Sequence, residues 1–249
     1  MALINFREIG GLTLPDGKIL KKHVLFRSGD LSFLEYQEAE NLLERTHVHT
    51  HIDLRVKSEI NINKPNYFFN LVGKLHNLAI DTQDEQFSRI LLPNACEWAD
   101  FYVRILKRNL SQVVLFLKII SDSVNKPVSF GCSAGKDRTG IISAILLSLL
   151  EVRDDQIIED YCLSNASLSN YVHYFDDPKK ELGRTREEFI KTFLTVSEDA
   201  MRLFLKNIEV QENGIIRMLV DAGLEISIIE QLKSKLSIIP HFHFVKLDR

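Results

Sequence analysis

One stretch near the middle of the chain constrains the fold more than any other. It reads PVSFGCSAGKDRTGIISAILLSLLEV and runs from Pro127 to Val152. Val128–Phe130 is short, apolar and preceded by proline, which predicts a strand. Arg138–Leu150 is apolar on nearly every side, which is typical of a helix buried on all its faces. The small and charged residues between them must therefore turn a strand sharply into a buried helix.

The rest of the chain alternates between strand patterns and amphipathic helix patterns, which predicts an α/β fold with a mostly parallel central sheet flanked by helices. The predicted strands are Val24–Arg27, Val48–Leu54, Tyr67–Val72, Leu75–Ile80 and Val128–Phe130. The predicted helices of this part are Glu35–Arg45, a long stretch from Glu97 to Val124 with a break near Asn109, Arg138–Leu150, and Asp155–Leu168.

The composition shifts at about Asp176, where charged residues give way to a series of helix patterns. We therefore expect a single domain, 1–249, with an α/β core over 1–175 and a helical cap over 176–249. The predicted helices of the cap are one that begins with the capping-box pair Thr185 and Glu188, and Glu198–Val210, Ile215–Ala222 and Ile226–Leu236.

Composition and charge exclude several classes of protein. The net charge of −3 gives no global sign of nucleic-acid binding. Three widely spaced cysteines argue against a disulfide framework or a zinc knuckle. The longest apolar run, Ile141–Leu150, is too short to span a bilayer. The first residues lack the pattern of a secretory signal, so we expect a cytoplasmic protein or one exported without such a signal.

The loop GCSAGKDRTG has the features of an anion cradle. A tight loop at a helix N-terminus turns its backbone N–H groups toward one centre, where the helix dipole adds positive charge. Small residues allow the backbone to approach a ligand closely, and Gly135 tolerates a positive φ. The predicted phosphate-binding residues are Ser133, Ala134, Gly135, Lys136, Asp137 and Arg138.

The residues around that cradle predict nucleophilic chemistry. Five residues separate Cys132 from Arg138, and a thiol at a helix N-terminus beside cations ionises readily. Arg138 can hold two phosphoryl oxygens in a bidentate fork, and Thr139 can donate its hydroxyl to the sulfur. The arrangement fits attack of a thiolate on a phosphate monoester, followed by hydrolysis of a cysteinyl phosphate. This reaction needs no metal or cofactor.

Three other interpretations of the loop were weighed. A nucleotide-binding P-loop does not fit, because Gly131 and Gly135 are separated by three residues rather than four and Asp137 replaces the metal-binding Ser or Thr. A buried structural cysteine is common, but it gives no reason for the sequence GKDRTG. A persulfide-carrying sulfurtransferase loop uses a similar cradle and stays an alternative.

Several motifs together resemble the bacterial atypical tyrosine/lipid phosphatase family of cysteine-based phosphatases. They are NFREIGG, VLFRSGDLSFL, HIDLRVKSEI, GCSAGKDRTG and EDYCLSN, in the order expected of that family and over nearly the whole chain. The resemblance implies a phosphatase α/β fold and activity on phosphotyrosine, often also on phosphoserine, phosphothreonine and phosphoinositides. Lys136 and Asp137 resemble loops associated with lipid substrates.

The resemblance has one departure, at Gly131. The family usually has a histidine there, which orders the loop and helps to hold the thiolate. A catalytically weak, phosphate-binding pseudophosphatase is therefore an alternative function.

The residue that protonates the leaving group has three candidates. Asp81 ends a predicted strand, where related phosphatases carry their acid on a loop, and it ranks first. Asp137 in the cradle ranks second, and Asp84 is a further rival. A positioned acid is worth about 10²–10⁴-fold in rate.

Other residues are interpreted as structural. His47, His49 and His51 alternate along a predicted strand, but no matching carboxylate or cysteine supports a metal site. Arg55 and Glu59 are predicted to form a local salt bridge behind the site. Arg27 and Ser28 are expected to order a loop at a strand end, and Cys162 is expected to lie in the core. No metal role is expected for His241 and His243.

A basic run is expected to form a solvated helix face, with peripheral membrane contact as the alternative. Its residues are Lys179, Lys180, Arg184, Arg186 and Lys191.

Overall fold

A mixed sheet of five strands forms the centre of the molecule. The computed structural model describes residues 3–60, 66–83, 94–123, 125–167 and 195–239. The strands of this sheet are β1 (Arg7–Glu8), β3 (Leu25–Ser28), β4 (Thr50–Asp53), β5 (Lys74–Asn77) and β6 (Val128–Gly131). Their order is β1-β3-β6-β4-β5, with β1 antiparallel and the others parallel. This topology confirms the predicted α/β fold with a mostly parallel sheet.

A small second sheet joins the two ends of the described chain. It pairs β2 (Ile19–Leu20) antiparallel with β7 (Ser237–Ile238). The N-terminal segment is thereby fixed beside the last helix.

Helices cover both faces of the central sheet. They are α1 (Tyr36–Thr46), α2 (Tyr67–Leu71), α3 (Ala95–Arg108), α4 (Leu110–Ser123), α5 (Asp137–Leu149), α6 (Asp154–Cys162), α7 (Glu198–Gln211), α8 (Ile215–Asp221) and α9 (Ile226–Leu236). The predicted break near Asn109 is confirmed, because α3 ends just before it and α4 begins just after it. The helix predicted over Asp155–Leu168 is shorter, since α6 passes into a 3₁₀ turn at Leu163–Ser167.

The strand predicted over Tyr67–Val72 was wrong, because this segment forms helix α2. Its aromatic composition favoured a strand. However, the buried residues Phe68 and Val72 are four positions apart, which is the spacing of one helix face. The Val72 amide accordingly binds the Phe68 carbonyl at 3.0 Å. Tertiary packing against α1 decides the conformation here.

Alternate residues of the strands fill two separate cores. Leu25 belongs to the larger core, which lies between the sheet and helices α3 to α9, whereas Phe26 belongs to a smaller core under α1 and α2. The described C-terminal helices add Phe204 and Leu232 to the larger core. The capping-box pair Thr185 and Glu188 lies outside the described residues. Among the described helices, none combines the length and apolar character needed to cross a membrane.

Candidate active site

The predicted cradle lies at the carboxyl end of β6, at the centre of the sheet. Cys132 follows the last residue of β6 and is buried, and α5 begins at Asp137. Gly135 has φ +66°, and a Cβ atom there would lie 2.5 Å from the Ser28 carbonyl oxygen. Only glycine meets both conditions, so the chain reverses tightly between strand and helix.

Three consecutive carbonyl groups of the loop, those of Ser133, Ala134 and Gly135, are bound by partners outside the loop. The Asp30 amide donates to the Ser133 carbonyl at 2.9 Å. The Asn5 side-chain amide donates to the carbonyls of Ala134 at 3.2 Å and Gly135 at 2.8 Å. Because the C=O and the following N–H point in opposite directions across a trans peptide, these bonds turn the next amides toward the inside of the loop. The loop therefore presents a set of inward donors.

A buried ion cluster supports the loop from behind. Arg27 is fully buried, donates to the Gly135 carbonyl at 2.8 Å and pairs with Asp160 at 2.5 Å. Arg7 binds the other oxygen of Asp160 at 2.9 Å. Burial alone would raise the pKa of Asp160, but the two arginines outweigh it and lower that pKa. The cluster confirms the predicted ordering role of Arg27 and adds Arg7 and Asp160.

The Cys132 sulfur has a hydrogen-bond donor inside the loop. The Thr139 hydroxyl donates to it at 3.1 Å, and both side chains are buried. Thr139 lies on the first turn of α5, so this donor is held in place by the helix. A hydroxyl directed at the sulfur stabilises its anionic form. The structure thus brings Cys132 and Thr139 together as predicted.

Glu59 binds the guanidinium of Arg138 through both of its carboxylate oxygens. Its Oε2 accepts from Nη1 at 2.5 Å and its Oε1 from Nη2 at 2.6 Å. Oε1 also accepts the Ser133 hydroxyl at 2.9 Å. Burial lowers the pKa of Arg138 in isolation, but the bonds to Glu59 outweigh this and the net pKa is raised. An arginine has five N–H donors, so the guanidinium retains donors for a phosphoryl oxygen.

The predicted salt bridge between Arg55 and Glu59 was wrong. Arg55 is buried and pairs with Asp53, at 2.8 Å from its Nη2, and with Asp30. Glu59 lies four residues later, but it sits in a 3₁₀ turn that carries it toward Arg138. Sequence spacing gave the wrong partner because the segment is not an α-helix.

Asp137 lies at the start of α5 with its carboxylate between the core and the loop. Its Oδ1 accepts the Tyr102 hydroxyl at 2.6 Å, and its Oδ2 is 3.5 Å from the ammonium of Lys136. Lys136 is itself buried, with its ammonium 5.4 Å from the centre of the Trp98 ring. Such a cation–π contact stabilises a charge that is removed from water.

Asp81 is anchored at the C-terminal end of α3. Its amide and carbonyl both bind the Asn109 side chain, at 2.9 and 2.8 Å. Its carboxylate accepts the Gln83 amide at 2.8 Å and is 3.9 Å from Arg108. The loop, in contrast, contacts the first turns of α3 through Trp98 and Tyr102. Asp84 lies outside the described residues.

With this geometry in view, comparison with known proteins gives the family. The sequence profile of the tyrosine phosphatase family matches residues 1–238. The chain belongs to this tyrosine phosphatase family. It is 34% identical over 80 residues to a tyrosine-protein phosphatase of Nostoc commune, and 36% identical over 69 residues to the triple specificity protein phosphatase PtpB of Mycobacterium tuberculosis. These matches cover 32% and 28% of this chain, and 25% of the length of each relative.

Solved phosphatase structures are also similar to the chain at low identity. The core catalytic domain of the PP-IP phosphatase Siw14 from S. cerevisiae is 16% identical, with a TM-score of 0.41 over 77% of this chain and 98% of that chain. TpbA of P. aeruginosa in complex with pTyr is 15% identical, with a TM-score of 0.36 over 58% of this chain and 70% of that chain.

Gly131 lies in close contact with the neighbouring strand β3. Gly131 pairs with Ser28 across the parallel strands β3 and β6. A Cβ atom at this position would lie 2.5 Å from the Ser28 hydroxyl oxygen and 2.6 Å from its carbonyl oxygen. The two strand ends are therefore too close for any side chain at position 131. Asn5 and Arg27 hold the loop through the carbonyls of Ala134 and Gly135.

His51 and Cys162, two other residues considered in the sequence, do not belong to the loop. His51 is buried, with its Nδ1 2.8 Å from the Ser129 hydroxyl, and burial lowers its pKa to about 4. Over residues 3–60, 66–83, 94–123, 125–167 and 195–239, no three His, Cys, Asp or Glu side chains gather in a metal-binding group. Cys162 ends α6 and is half-buried. The basic run Lys179, Lys180, Arg184, Arg186 and Lys191, and the pair His241 and His243, lie outside the described residues.

Sequence reasoning missed the residues that hold the loop and Asp137 in place. They are Asn5, Arg7, Trp98, Tyr102, Asp160 and Tyr161. Four of them stand in the motifs NFREIGG and EDYCLSN, which were matched to the tyrosine phosphatase family without a role for each residue. The two motifs therefore indicated four of these residues, although the residues that each of them contacts could be found only from the structure.

Proposed function

We propose that this protein hydrolyses phosphate monoesters through a cysteinyl-phosphate intermediate. The observation that carries the proposal is the position of the Cys132 sulfur, 3.1 Å from the Thr139 hydroxyl, at the base of a loop whose carbonyls are turned outward. The same loop carries Arg138, which Glu59 holds by both Nη atoms. Nucleophile, anion clamp and inward amides thus share one rigid element.

In the first step, the thiolate of Cys132 attacks phosphorus and the bond from phosphorus to the leaving oxygen breaks. The loop amides and Arg138 stabilise the charge on the equatorial oxygens of the phosphoryl group. In the second step, water attacks phosphorus, inorganic phosphate departs and the thiolate is restored. The Thr139 hydroxyl supports the sulfur as it leaves.

The proposed proton donor for the leaving oxygen is Asp137. It adjoins Arg138, and its side chain is 30% exposed, so a substrate can reach it. Asp81, which ranked first in the sequence, is bound to Asn109 and lies near Arg108, beyond the far end of α3. The contacts of Asp81 are with Asn109, Gln83 and Arg108, whereas Asp137 belongs to the loop itself.

The proposed substrates are phosphotyrosine proteins first and phosphoinositides second. Support for the first comes from the family and from the two relatives, which are named as protein phosphatases. Support for the second is the resemblance of Lys136 and Asp137 to loops associated with lipid substrates, although the Lys136 ammonium is itself buried beside Trp98. If the basic run at 179–191 contacts a membrane, charge reversal at Lys179 and Lys180 will slow hydrolysis of vesicle-bound phosphoinositide and spare a small aryl phosphate.

The test is phosphate release from a panel of phosphopeptides and phosphoinositides, with wild type compared with Cys132→Ser. We expect turnover by the wild type and none by the variant, with substrate binding retained. Binding without turnover by the wild type selects the pseudophosphatase. Thiosulfate turnover without phosphate release selects the sulfurtransferase.

A further inference from the structure

Two buried tyrosines and Asp137 form a continuous chain of hydrogen bonds. The Tyr161 hydroxyl is 2.6 Å from the Tyr102 hydroxyl, which donates to Asp137 Oδ1 at 2.6 Å. Tyr102 comes from α3 and Tyr161 from α6, so three separate helices meet at this point. The chain runs from the interior of the protein to a partly exposed carboxylate in the candidate active site.

Tyr102 and Tyr161 both stay protonated at neutral pH. Burial raises the pKa of Tyr102 and of Tyr161 well above the ordinary value, and the charge of Asp137 raises both further. Each ring therefore keeps its hydroxyl hydrogen. Tyr161 can donate to Tyr102 while Tyr102 donates to the carboxylate, so both hydroxyls are satisfied.

The hydroxyl groups are not needed to fill the core. Tyr102 packs edge-on against Phe204 and Tyr161, contacts that phenylalanine would also make. Burying a hydroxyl costs free energy unless it is hydrogen-bonded. Here the bonds that satisfy the two hydroxyls end on a loop carboxylate, which indicates a role in the site.

We propose that Tyr102, supported by Tyr161, is a positioning residue for proton transfer by Asp137. Because Oδ1 accepts the Tyr102 hydroxyl, the transferable proton resides on Oδ2. The charged groups that face this carboxyl are Lys136, at 3.5 Å from Oδ2, and Arg138. The tyrosine fixes the rotation of the carboxyl and leaves Oδ2, on the side of Lys136, to transfer the proton. This inference rests on the proposed phosphatase function.

The consequence concerns the leaving group of the reaction. When Oδ2 gives its proton to the departing oxygen, the oxygen leaves as a neutral alcohol or phenol, and Asp137 becomes a carboxylate bound by Tyr102. A poor leaving group depends on this transfer more than a good one does. Loss of Tyr102 should therefore penalise poor leaving groups selectively, which a purely structural residue would not do.

The experiment compares p-nitrophenyl phosphate, a good leaving group, with phenyl phosphate, a poor one. The variants are Asp137→Asn, Tyr102→Phe and Tyr161→Phe, with Cys132→Ser as the blank. We expect Asp137→Asn to lose about 10²–10⁴-fold on phenyl phosphate and much less on p-nitrophenyl phosphate. Tyr102→Phe should lose about 10-fold on phenyl phosphate and less than about 2-fold on p-nitrophenyl phosphate. Tyr161→Phe should shift the ratio in the same direction by a smaller amount, because Tyr102 loses its supporting bond. The control is Tyr36→Phe, which changes an exposed tyrosine on α1 and should keep the wild-type ratio.

The ratio of the rates on phenyl phosphate and p-nitrophenyl phosphate does not depend on the fraction of enzyme that is folded. A destabilised variant therefore still gives an interpretable ratio. Equal losses on both substrates in Tyr102→Phe would overturn the inference, as would an unchanged ratio in Asp137→Asn. Absence of Cys132-dependent turnover in the wild type would instead remove the proposed function itself. The two failures are therefore distinct.

Discussion

The carboxylate of Glu59 and the guanidinium of Arg138 meet side by side, with bonds of 2.5 and 2.6 Å. Bidentate pairs of this kind add geometric precision as well as energy. We predict that Glu59→Gln lowers kcat/KM for p-nitrophenyl phosphate by about 10–100-fold, because the neutral amide releases one side of the arginine. Steady-state kinetics measure this effect.

The control for Glu59 is Lys57→Gln, which changes an exposed charge in the same 3₁₀ turn. It should leave kcat/KM close to the wild-type value. If Glu59→Gln is as active as the control, Arg138 does not depend on Glu59 for its position.

The buried cluster behind the loop should dominate stability. Asp160→Asn leaves Arg27, which is fully buried, without a charged partner. Removal of one partner from a buried ion pair costs about 3–5 kcal/mol, which lowers the Tm of a chain of this size by about 10 °C. The control is Asp155→Asn on the same helix, which breaks an exposed pair with Arg153 and should leave Tm unchanged. Equal Tm values in a thermal melt would contradict the role given to Asp160.

Adding a side chain at position 131 should lower the stability of the fold. Gly131→Ala and Gly131→His both place a Cβ atom against Ser28, including its immobile carbonyl. We predict a loss of at least about 2 kcal/mol and a fall in Tm of about 4–8 °C. Ser28→Ala is the control, since its hydroxyl has no hydrogen-bond partner among the described residues, and it should leave Tm unchanged. A stabilised or more active Gly131→His would show that the strands separate easily.

His51 makes stability fall between pH 6.5 and pH 4. Burial lowers its pKa from 6.5 to about 4, so the unfolded chain binds the proton first as the pH falls. This contribution is complete above pH 6.5 and is lost as the pH drops toward 4. The expected loss is about 2 kcal/mol between pH 7 and pH 5, measured by urea unfolding.

Two variants isolate the effect of His51. His51→Gln should remove this part of the pH dependence. His23→Asn changes an exposed histidine with φ +60°, a conformation that asparagine tolerates, and should keep it. The same pH slope in both variants would assign the effect to other groups.

The sequence was most informative where local chemistry decides structure. The loop could be predicted because a short apolar strand, small residues and a buried helix follow one another directly from Val128 to Leu150. The break near Asn109 was predictable for a similar local reason. The helix α2 was not, because its aromatic residues suit a strand and only packing against α1 selects the helix.

The supporting residues of the site could not be derived because their partners are distant in sequence. Arg7 and Asp160 are 153 residues apart, and Tyr102 and Asp137 are 35 apart. Periodicity and spacing report neighbours along one element, whereas these contacts depend on how strands and helices assemble. The same limit explains why Glu59 was assigned to Arg55 rather than Arg138.

The bonds from Asn5 to the carbonyls of Ala134 and Gly135 make the segment just before β1 a part of the candidate active site. An affinity tag fused directly before residue 5, or a deletion that removes Asn5 and Arg7, would weaken the bonds that hold the loop in place without changing Cys132. Preparations that differ only at that end of the polypeptide can therefore differ in turnover.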